Sequence, residues 1–433
     1  MVATAASALP AAPAAPAAVR WPAGLAYGAL GAPLAFAALP LYVQLPAHYA
    51  ATLGAPLAGL GTVLLATRAA DALIDPALGR WSDRRLQGAR GRTVAWAAGA
   101  ALLLGLGLAA LFFPPAGVPL LAWCAAALLV TSLGYSTLGV LHQTWGARLG
   151  GGDAGQARWA GWREGLALAG VLLASVLPAL AGVAAMVAAA GVMLLLGLAA
   201  LTVAPYPAAA AGVAHAGAGA AIAEPVSPWR TPAFRHLIAV FLLNGIASAV
   251  PATLVLFFVR DRLQAAAHEA LFLGLYFAAA ALAVPLWVRA VGRFGLARSW
   301  LAGMLLAVLS FVWAAGLGAG DMAGFALVCA ASGLALGADL VAPPALLAGI
   351  VQRGGLQGHE GRFFGWWTCA AKLNLALAAG IALPMLALLG YRPGTQTPDG
   401  LQALTLAYAV LPCALKLLAA AWLLRQRHHL ETR

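Results

Sequence analysis

Apolar runs long enough to cross a lipid bilayer recur along almost the whole chain. A helix needs about 20 predominantly apolar residues to span the hydrocarbon core. Of the 433 residues, 63% are hydrophobic and only 9% are charged, with a mean hydropathy of +0.90, which excludes an ordinary soluble globule. The sequence therefore predicts an all-α membrane protein with twelve transmembrane helices, centred in 24–45, 55–79, 93–113, 118–146, 161–183, 185–204, 236–259, 270–290, 297–317, 323–350, 364–389 and 402–424.

The predicted spans fall into two sets of six. Between the sixth and the seventh lies a stretch from Pro205 to Pro232 that is rich in Ala, Gly and Pro, a composition typical of a flexible linker. Two such lobes are typical of a carrier whose substrate site lies between them near the middle of the membrane. The predicted organisation is a disordered cytoplasmic tail (1–22), a six-helix lobe (23–204), a cytoplasmic linker (205–232), a second six-helix lobe (233–425) and a short cytoplasmic tail (426–433).

The net charge of +12 fits a particular membrane orientation. With the N-terminus in the cytoplasm, most arginines fall in cytoplasmic segments such as the loop 80–92, whereas the outer loops hold Arg260, Arg262 and Arg392. This bias predicts a multi-pass protein of the bacterial inner membrane with both termini in the cytoplasm. Anionic lipid headgroups are the expected partners of the arginines, and no basic stripe typical of nucleic-acid binding occurs. We expect a monomer that needs no cofactor.

Three charged residues lie in the middle of the second span. Asp71 and Asp75 are four residues apart and Arg68 lies three before Asp71, so all three share one face of a helix. A charge at the centre of a membrane helix costs about 2.5–3.5 kcal/mol on insertion scales, so these groups must pair or face a polar cavity. Two acids and one base leave one negative charge in excess, which favours a bound cation or proton. The alternative is a static ion-paired contact between helices.

Both lysines of the chain occur in predicted spans. Lys372 lies well inside the eleventh span, where a buried ammonium needs a carboxylate, and Asp71 or Asp75 would supply one across the lobe interface. The alternative is a static ion pair between the lobes. Lys416 lies nearer the end of the twelfth span, and we expect its ammonium to extend to the membrane surface.

Other polar side chains within the spans are candidates for a substrate pocket. Arg163 and Glu164 open the fifth span, and Arg163 is a candidate substrate contact. Asp339 lies beside the Pro343-Pro344 break in the tenth span, where it can cap a hinge or bind a ligand. In such settings a histidine packs more often than it binds, so either role is open for the one in the fourth span. That span presents Tyr135, Thr137, His142, Gln143 and Trp145.

The second span ends in the string Gly79-Arg-Trp-Ser-Asp83-Arg84-Arg85. Glycine lets helices approach closely, while the acid and the arginines can bridge to a neighbouring helix end and its dipole. The string resembles the signature loop between the second and third helices of the major facilitator superfamily. That resemblance implies a role in conformational gating for Gly79, Asp83 and Arg84.

A longer resemblance covers nearly the whole chain. The second-span string Arg68-x-x-Asp71-Ala-x-x-Asp75-Pro76-x-x-Gly79 resembles the second-helix motif of the glycoside–pentoside–hexuronide:cation symporters, the melibiose permease-like family. The resemblance continues in five other spans, in Tyr27-Gly-Ala-Leu-Gly, Arg163, Asn244 to Pro251, Gly337-Ala-Asp339-Leu-x-x-Pro343-Pro344 and Lys372.

The resemblance implies a role for several matched residues. In that family the two second-helix aspartates hold the coupling Na⁺, Li⁺ or H⁺, which implies cation binding by Asp71 and Asp75. The fifth-helix arginine contacts sugar, which implies that role for Arg163, and the eleventh-helix lysine lies near the cation site, which implies that position for Lys372. From its place on the same helix face as the aspartates, we expect Arg68 to be a further charge partner. Lysophospholipid symporters of the same broad family share the paired aspartates, so the motif predicts coupling to a cation and not the cargo.

The chain departs from the family at the sugar site. The two acids that hold galactosyl hydroxyls in the family align with Pro33 and Gly139, and neither has a side-chain acceptor. The cargo is then a different glycoside, a more apolar compound or an amphiphile. The residues expected to contact it are Tyr27, Tyr135, His142, Gln143, Trp145, Arg163, Asn244 and Asp339.

Taken together, these features predict a secondary-active transporter and not an enzyme. It would couple Na⁺ or H⁺ to the symport of a small organic solute, such as a glycoside or a related polar molecule, by alternating access. One alternative is an exporter of an apolar or amphiphilic compound that works by H⁺ antiport. A more distant one is a non-transporting membrane sensor or scaffold, which the small loops disfavour.

Overall fold

The part of the protein that the structure describes is a bundle of twelve long helices. The computed structural model describes residues 19–207 and 226–431, and within these ranges it contains no strand. The predicted all-α class is confirmed, and each of the twelve helices overlaps a predicted span, although the fifth span (161–183) extends into the first residues of α6. The helices are α1 (Trp21–Tyr42), α2 (Leu57–Arg85), α3 (Arg90–Phe112), α4 (Leu120–Arg148), α5 (Gly152–Pro178), α6 (Leu180–Val203), α7 (Pro232–Arg262), α8 (Ala266–Phe294), α9 (Leu296–Gly316), α10 (Met322–Arg353), α11 (Glu360–Leu388) and α12 (Pro398–Glu431).

Short connections link most of these helices. Eleven helices in the described part of the chain are long and apolar enough to cross a membrane, judged by length and composition. Where α5 meets α6, Gly182 adopts a φ of +82°, a left-handed conformation that glycine adopts without a steric penalty. The loops after α2, α4 and α10 lie together at one end of the bundle, because Arg148 at the end of α4 contacts both Asp83 and the Gly358 carbonyl. This end also holds the start of α1, and we call it the basic end after the arginine-rich segment 80–92.

Three apolar cores hold the bundle together. One is formed by residues of α1 to α6 and their connections, and another by residues of the half of the chain that begins at α7. A third core joins the two halves, because Ala147 and Ala157 pack with residues such as Phe363 and Phe364 at the start of α11. The two halves therefore meet through an apolar contact close to the basic end.

The predicted terminal and linker segments lie only partly within the described residues. Residues 1–18 and 208–225, which include most of the predicted N-terminal tail and linker, fall outside them. Within the predicted tail from residue 426, α12 continues as a helix as far as Glu431. Its last turn is anchored: Glu431 Oε1 accepts a hydrogen bond of 2.9 Å from the backbone N–H of Ala297, and Arg353 donates to the Leu430 carbonyl at 2.6 Å.

Candidate cation and substrate sites

Two aspartates, a serine and a lysine form a polar cluster between the two halves of the bundle. Asp71 and Asp75 belong to α2, Ser136 to α4 and Lys372 to α11. The Lys372 ammonium lies 2.8 Å from Asp71 Oδ2 and 2.9 Å from both Asp75 oxygens. It also donates to Ser136 Oγ at 2.8 Å, and that hydroxyl donates to Asp71 Oδ1 at 2.7 Å. The four-residue spacing of the aspartates places both carboxylates on the α2 face that meets α11.

This cluster carries more negative than positive charge. Both aspartates are buried, Asp75 completely, and a single ammonium serves the two carboxylates. Among the described residues, Asp75 Oδ2 has no hydrogen-bond donor with suitable geometry, although the Lys372 nitrogen is close. An ionised carboxylate is a strong acceptor, so this oxygen is a candidate ligand for a cation or a proton.

Arg68 is not part of this cluster, and its expected pairing with the aspartates is wrong. Its side chain is exposed, and its guanidinium lies 4.8 Å from the centre of the Tyr42 ring on α1. Among the described residues no ion pair joins Arg68 to Asp71 or Asp75. The shared helix face is real, but Lys372 already occupies the space between the carboxylates, and the Tyr42 ring attracts the arginine through its negative face.

A cavity of about 470 Å³ lies beside the cluster, between the two halves. Ser136 and Lys372 belong both to the polar cluster and to the cavity wall, so a ligand in the cavity has direct access to the aspartates' partners. The wall comes from α1, α4 and α5 on one side and from α7, α10 and α11 on the other. Its polar and charged members are Tyr42, Tyr135, Ser136, His142, Gln143, Arg163, Glu164, Asp339, Thr368 and Lys372.

An aromatic pair forms part of the cavity wall in the second half. Phe241 of α7 and Trp367 of α11 stack with ring centres 3.6 Å apart and an angle of 25° between their planes. The sequence does not distinguish either residue as a site candidate, because aromatic side chains are common in membrane helices. Only the contact between the two helices identifies them as a rigid apolar surface beside the polar groups.

Five of the eight predicted substrate contacts line the central cavity: Tyr135, His142, Gln143, Arg163 and Asp339. Trp145 does not, and the structure corrects that expectation. Its ring is fully buried within the first half, its Nε1 donates to the Pro205 carbonyl at 2.7 Å, and it packs edge-on against Tyr206. Trp145 therefore fixes the end of α6 against α4. Trp145 comes three residues after His142, and its side chain lies deeper among the helices of the first half, away from the cavity.

Tyr27 and His142 bind each other across α1 and α4. The Tyr27 hydroxyl donates to the His142 carbonyl at 3.1 Å, the His142 Nε2 lies 2.8 Å from the Tyr27 carbonyl, and the ring centres are 4.5 Å apart. Tyr27 lines a separate, much smaller pocket together with Gln143 and Arg163. His142 is almost fully buried at the edge of the main cavity. Its Nε2 is used for packing, which leaves Nδ1 without a partner among the described residues.

Arg163 already has a carboxylate partner. Its guanidinium donates to Glu164 Oε1 from Nε at 2.9 Å and from Nη2 at 2.7 Å, and both side chains line the cavity. Both residues were predicted to lie at the start of the fifth span, but only Arg163 was predicted to contact substrate. Because adjacent residues on a helix do not normally face each other, their pairing was not apparent from the spacing.

A second polar cluster lies wholly within the second half. Lys416 of α12 pairs with Asp339 of α10 at 2.9 Å and donates to Asn244 Oδ1 of α7 at 2.7 Å. The expectation that Lys416 extends to the membrane surface is wrong, because its side chain is only 9% exposed. Asn244, which was expected to contact substrate, instead lies in this cluster beside Asp339. An acid within an apolar helix needs a buried base, and that requirement was the signal that could have identified the pair.

The two halves are bound together at the basic end. Arg148 at the end of α4 donates to Asp83 at 2.8 Å, to Glu360 at 2.9 Å and to the Gly358 carbonyl at 2.9 Å. Asp83 also accepts hydrogen bonds from the backbone N–H groups of Gly361 and Arg362, at 2.7 and 3.0 Å. These donors begin α11, where the helix dipole attracts an anion.

Gly79 allows this contact to form. A Cβ added there would collide with the Gly361 carbonyl, and one added at Gly361 would collide with the Gly79 carbonyl. The predicted roles of Gly79 and Asp83 at a contact between helix ends fit this geometry. Arg84 is different: its side chain is exposed and takes no part in the network within the described residues, where Arg148 supplies the cation instead. The sequence contains no local pattern that connects Arg148 with an acid 65 positions earlier.

Further bonds near this network connect the same ends of the halves. Arg353 at the end of α10 pairs with Asp153 at the start of α5, with 2.8 Å between Nη1 and Oδ1. Gln352 donates to the Ala147 carbonyl at 3.1 Å. In the adjoining loop, burial lowers the pKa of His359 and nearby Arg362 lowers it further, so this histidine adds no positive charge beside Arg148 at neutral pH.

Twelve helices in two halves, with a cavity between them that is closed at the basic end, define a transporter of the major facilitator superfamily. The chain belongs to the MFS/sugar transport protein family, the melibiose permease-like family, whose model matches residues 24–427. It is therefore a multi-pass membrane transporter and not an enzyme. A search of curated proteins finds no match by sequence.

Solved structures of the same fold include transporters with different cargoes. A bacterial homologue of the iron transporter ferroportin, in an outward-facing state, has a TM-score of 0.66 at 16% identity, over 94% of this chain and 99% of that one. The Escherichia coli fucose:proton symporter FucP gives 0.62 at 13% identity, over 92% and 97%. The human organic anion transporter TETRAN gives 0.59 at 19% identity, over 93% and 98%. At these identities the likeness concerns the fold alone.

Proposed function

We propose that the protein is a secondary-active symporter that couples Na⁺ or H⁺ to the movement of a small organic solute of the glycoside class. The observation that carries this proposal is the pairing of two buried carboxylates, Asp71 and Asp75, with the single ammonium of Lys372. The cluster is one positive charge short of neutrality. A cation that enters from the cavity would restore it, at Asp75 Oδ2, with Asp71 nearby.

The position of Lys372 connects cation binding to the conformational change. Lys372 lies on α11, whereas its carboxylate partners lie on α2 in the other half, so its ion pairs hold the two halves together. A bound cation competes with the ammonium for the same carboxylates. Binding of the cation would weaken the contact between the halves and turn the Lys372 ammonium toward the cavity. Once cargo is also bound, the transporter could change from the outward-facing to the inward-facing state.

The closed basic end favours an outward-facing state. We infer from the positive-inside rule that the basic end faces the cytoplasm of a bacterial inner membrane, as predicted from the arginine-rich loops. In that orientation the Arg148 network seals the cytoplasmic side, and the central cavity is reached from outside. Opening the cytoplasmic side would require the bonds of Arg148 and Arg353 across the basic end to break.

The composition of the cavity wall supports a sugar-like cargo. Sugar rings combine an apolar face with hydroxyls around the edge, and the wall combines the stacked Phe241–Trp367 pair with hydrogen-bonding groups such as Gln143 and Thr368. The family to which the chain belongs is described as a sugar transport family, which favours the same cargo class.

Uptake into proteoliposomes tests the proposal. The purified protein would be given radiolabelled L-fucose, D-xylose, methyl α-D-glucopyranoside, melibiose, D-glucuronate or a lysophosphatidylcholine, under an imposed Na⁺ gradient, an imposed pH gradient or neither. The proposal predicts that at least one neutral sugar accumulates only when a gradient is imposed. Accumulation of no sugar under any gradient, or transport of the lysolipid alone, would contradict it.

A further inference from the structure

The second polar cluster contains a carboxylate that borders the cavity and a lysine behind it. Asp339 lines the cavity and its side chain is 15% exposed, whereas Lys416 is not among the lining residues. The Lys416 ammonium has three acceptors: Asp339 Oδ2 at 2.9 Å, Asn244 Oδ1 at 2.7 Å and Ser248 Oγ at 3.1 Å. An ammonium has three protons, so every donor of Lys416 is in use.

The Asp339 carboxylate has room for one more donor. Its Oδ1 accepts from Trp300 Nε1 at 2.8 Å and from Asn244 Nδ2 at 3.1 Å, and its Oδ2 accepts from Lys416. A carboxylate offers about four acceptor positions, so one position on Oδ2 remains. The protein groups fix the carboxylate from three sides, and the cavity is the side from which a further donor can approach.

Charge distinguishes this cluster from the one around Asp75. Asp339 and Lys416 cancel each other, whereas the first cluster has two carboxylates for one ammonium. Adding a cation or a proton to Asp339 would leave Lys416 as an uncompensated charge within the membrane, which is costly. The second cluster therefore has no need of a coupling cation, and Asp339 remains an ionised acceptor.

We propose that Asp339 accepts a hydrogen bond from a hydroxyl group of the cargo, and that Lys416 acts as a positioning residue that keeps this carboxylate ionised and oriented. The proposal rests on the proposed function and narrows its cargo to neutral, hydroxyl-bearing molecules. An anionic sugar would meet a fixed carboxylate at this wall, and the two cations that line the cavity, Arg163 and Lys372, are already paired with carboxylates. A site built around a hydrogen bond to a hydroxyl discriminates strongly against a cargo that lacks it.

A binding cycle with modified sugars tests the assignment. The probes are the neutral glycoside of the uptake panel that the wild type binds most tightly and its monodeoxy analogues, each lacking one hydroxyl. Asp339→Asn should weaken binding of the parent glycoside by about tenfold to a hundredfold, the range of one hydrogen bond to a charged group. For one deoxy analogue the same substitution should cause no further loss, because the bond is already absent.

Additional variants separate a cargo contact from a purely structural ion pair. Asp339→Asn combined with Lys416→Met removes both charges, a change that buried ion pairs often tolerate. Thermal stabilisation by Na⁺ or by acid reports whether the first cluster is intact and the protein folded. If Asp339 contacts cargo, the double variant keeps that stabilisation but binds the glycoside no better than Asp339→Asn does. Recovery of wild-type glycoside binding in the double variant would overturn the proposal.

Two further results would also overturn it. Equal losses from Asp339→Asn for the parent glycoside and for every deoxy analogue would place the carboxylate away from the hydroxyls. Tighter binding of D-glucuronate than of the neutral glycosides would contradict the preference for an uncharged cargo. If the wild type binds no sugar of the panel at all, both this proposal and the proposed function fail. If wild-type uptake is normal but the loss from Asp339→Asn adds to the loss from removing each hydroxyl, this proposal alone is contradicted.

Discussion

The Lys372 ammonium on α11 lies 2.9 Å from both carboxylate oxygens of Asp75 on α2, and so joins the two halves of the transporter at the candidate cation site. Asp75 is completely buried, so its carboxylate needs either Lys372 or a bound cation to compensate its charge. The groups that would bind the coupling cation are thus the same groups that hold the halves in contact. In the proposed mechanism, cation binding and the contact between the halves are linked through the Lys372 side chain.

Removing Lys372 should strengthen the binding of the competing cation. Lys372→Gln leaves two buried carboxylates without their ammonium, so the half-saturating Na⁺ concentration, or the proton concentration for an H⁺-coupled protein, should fall by about tenfold or more. Thermal unfolding of the purified variant, titrated with Na⁺ and with acid, measures the change. Arg392→Gln, in an exposed loop, is the matched control. Half-saturating concentrations unchanged for both ions would show that the lysine does not compete with a cation.

Adding a methyl group at Gly361 should prevent the basic end from closing. Its Cβ would collide with the Gly79 carbonyl and the Asp83 carboxylate, so Gly361→Ala should favour the state that is open at this end. A cysteine in place of Gly139, which lines the cavity, would report the change in a variant without the native cysteines. Labelling by an impermeant maleimide from the basic side should increase severalfold. Gly99→Ala serves as the control because no atom lies within 4 Å of its added Cβ; equal labelling of both variants would contradict the expectation.

The fold and the first polar cluster were predictable from the sequence because charges are costly within a membrane. Long apolar runs identified the twelve helices, and Asp71, Asp75 and Lys372 stood out within them. The pairing of Lys372 with both aspartates required only that each buried charge find an opposite one. The predicted role of Arg68 was wrong because its spacing suggested a local pair with the aspartates. Their actual partner, Lys372, lies nearly 300 positions away in the sequence.

The second polar cluster and the Arg148 network at the basic end depend on contacts that no local sequence pattern reveals. Lys416 and Asp339 are 77 residues apart and meet only because α10, α12 and α7 pack together. Because Lys416 lies close to the end of its span, its side chain was expected to extend to the membrane surface. It instead pairs with Asp339, a buried acid that requires a base. The role of Arg148 is likewise apparent only from the structure, where the start of α11 lies against the end of α2 and both supply an acid to this arginine.

The membrane orientation can be tested with reporters. A reporter fused after Arg433, or inserted within residues 208–222, should be cytoplasmic, because the arginine-rich loops are expected to face that side. Residues 208–222 lie outside the described part of the structure, so this test addresses the predicted linker directly. A reporter in the outer loop near Arg392 is the control and should be periplasmic. A periplasmic reading at the first two positions would reverse the proposed facing of the cavity.

Galactosides should bind poorly. The resemblance to the melibiose permease-like family aligns Pro33 and Gly139 with its two sugar-binding acids, and neither side chain can accept a hydroxyl proton. Each lost charged hydrogen bond costs roughly 1.5–3 kcal/mol, so the two together would weaken melibiose binding by about two to four orders of magnitude. Isothermal titration with melibiose, with and without Na⁺, measures it. Na⁺-dependent binding below millimolar concentration would mean that other groups, such as Gln143 or Asp339, have replaced those acids.

Cation-driven accumulation of cargo by Asp71→Asn and Asp75→Asn tests the central claim most directly. Each substitution removes one of the two negative charges that would attract the coupling cation, with little change in side-chain shape. Both variants should remain folded, as judged by thermal unfolding, but should lose gradient-driven accumulation in proteoliposomes. Asp399→Asn, an exposed acid at the start of α12, should accumulate cargo as the wild type does. Normal accumulation by both Asp71→Asn and Asp75→Asn would contradict the account and leave the paired aspartates with a structural role.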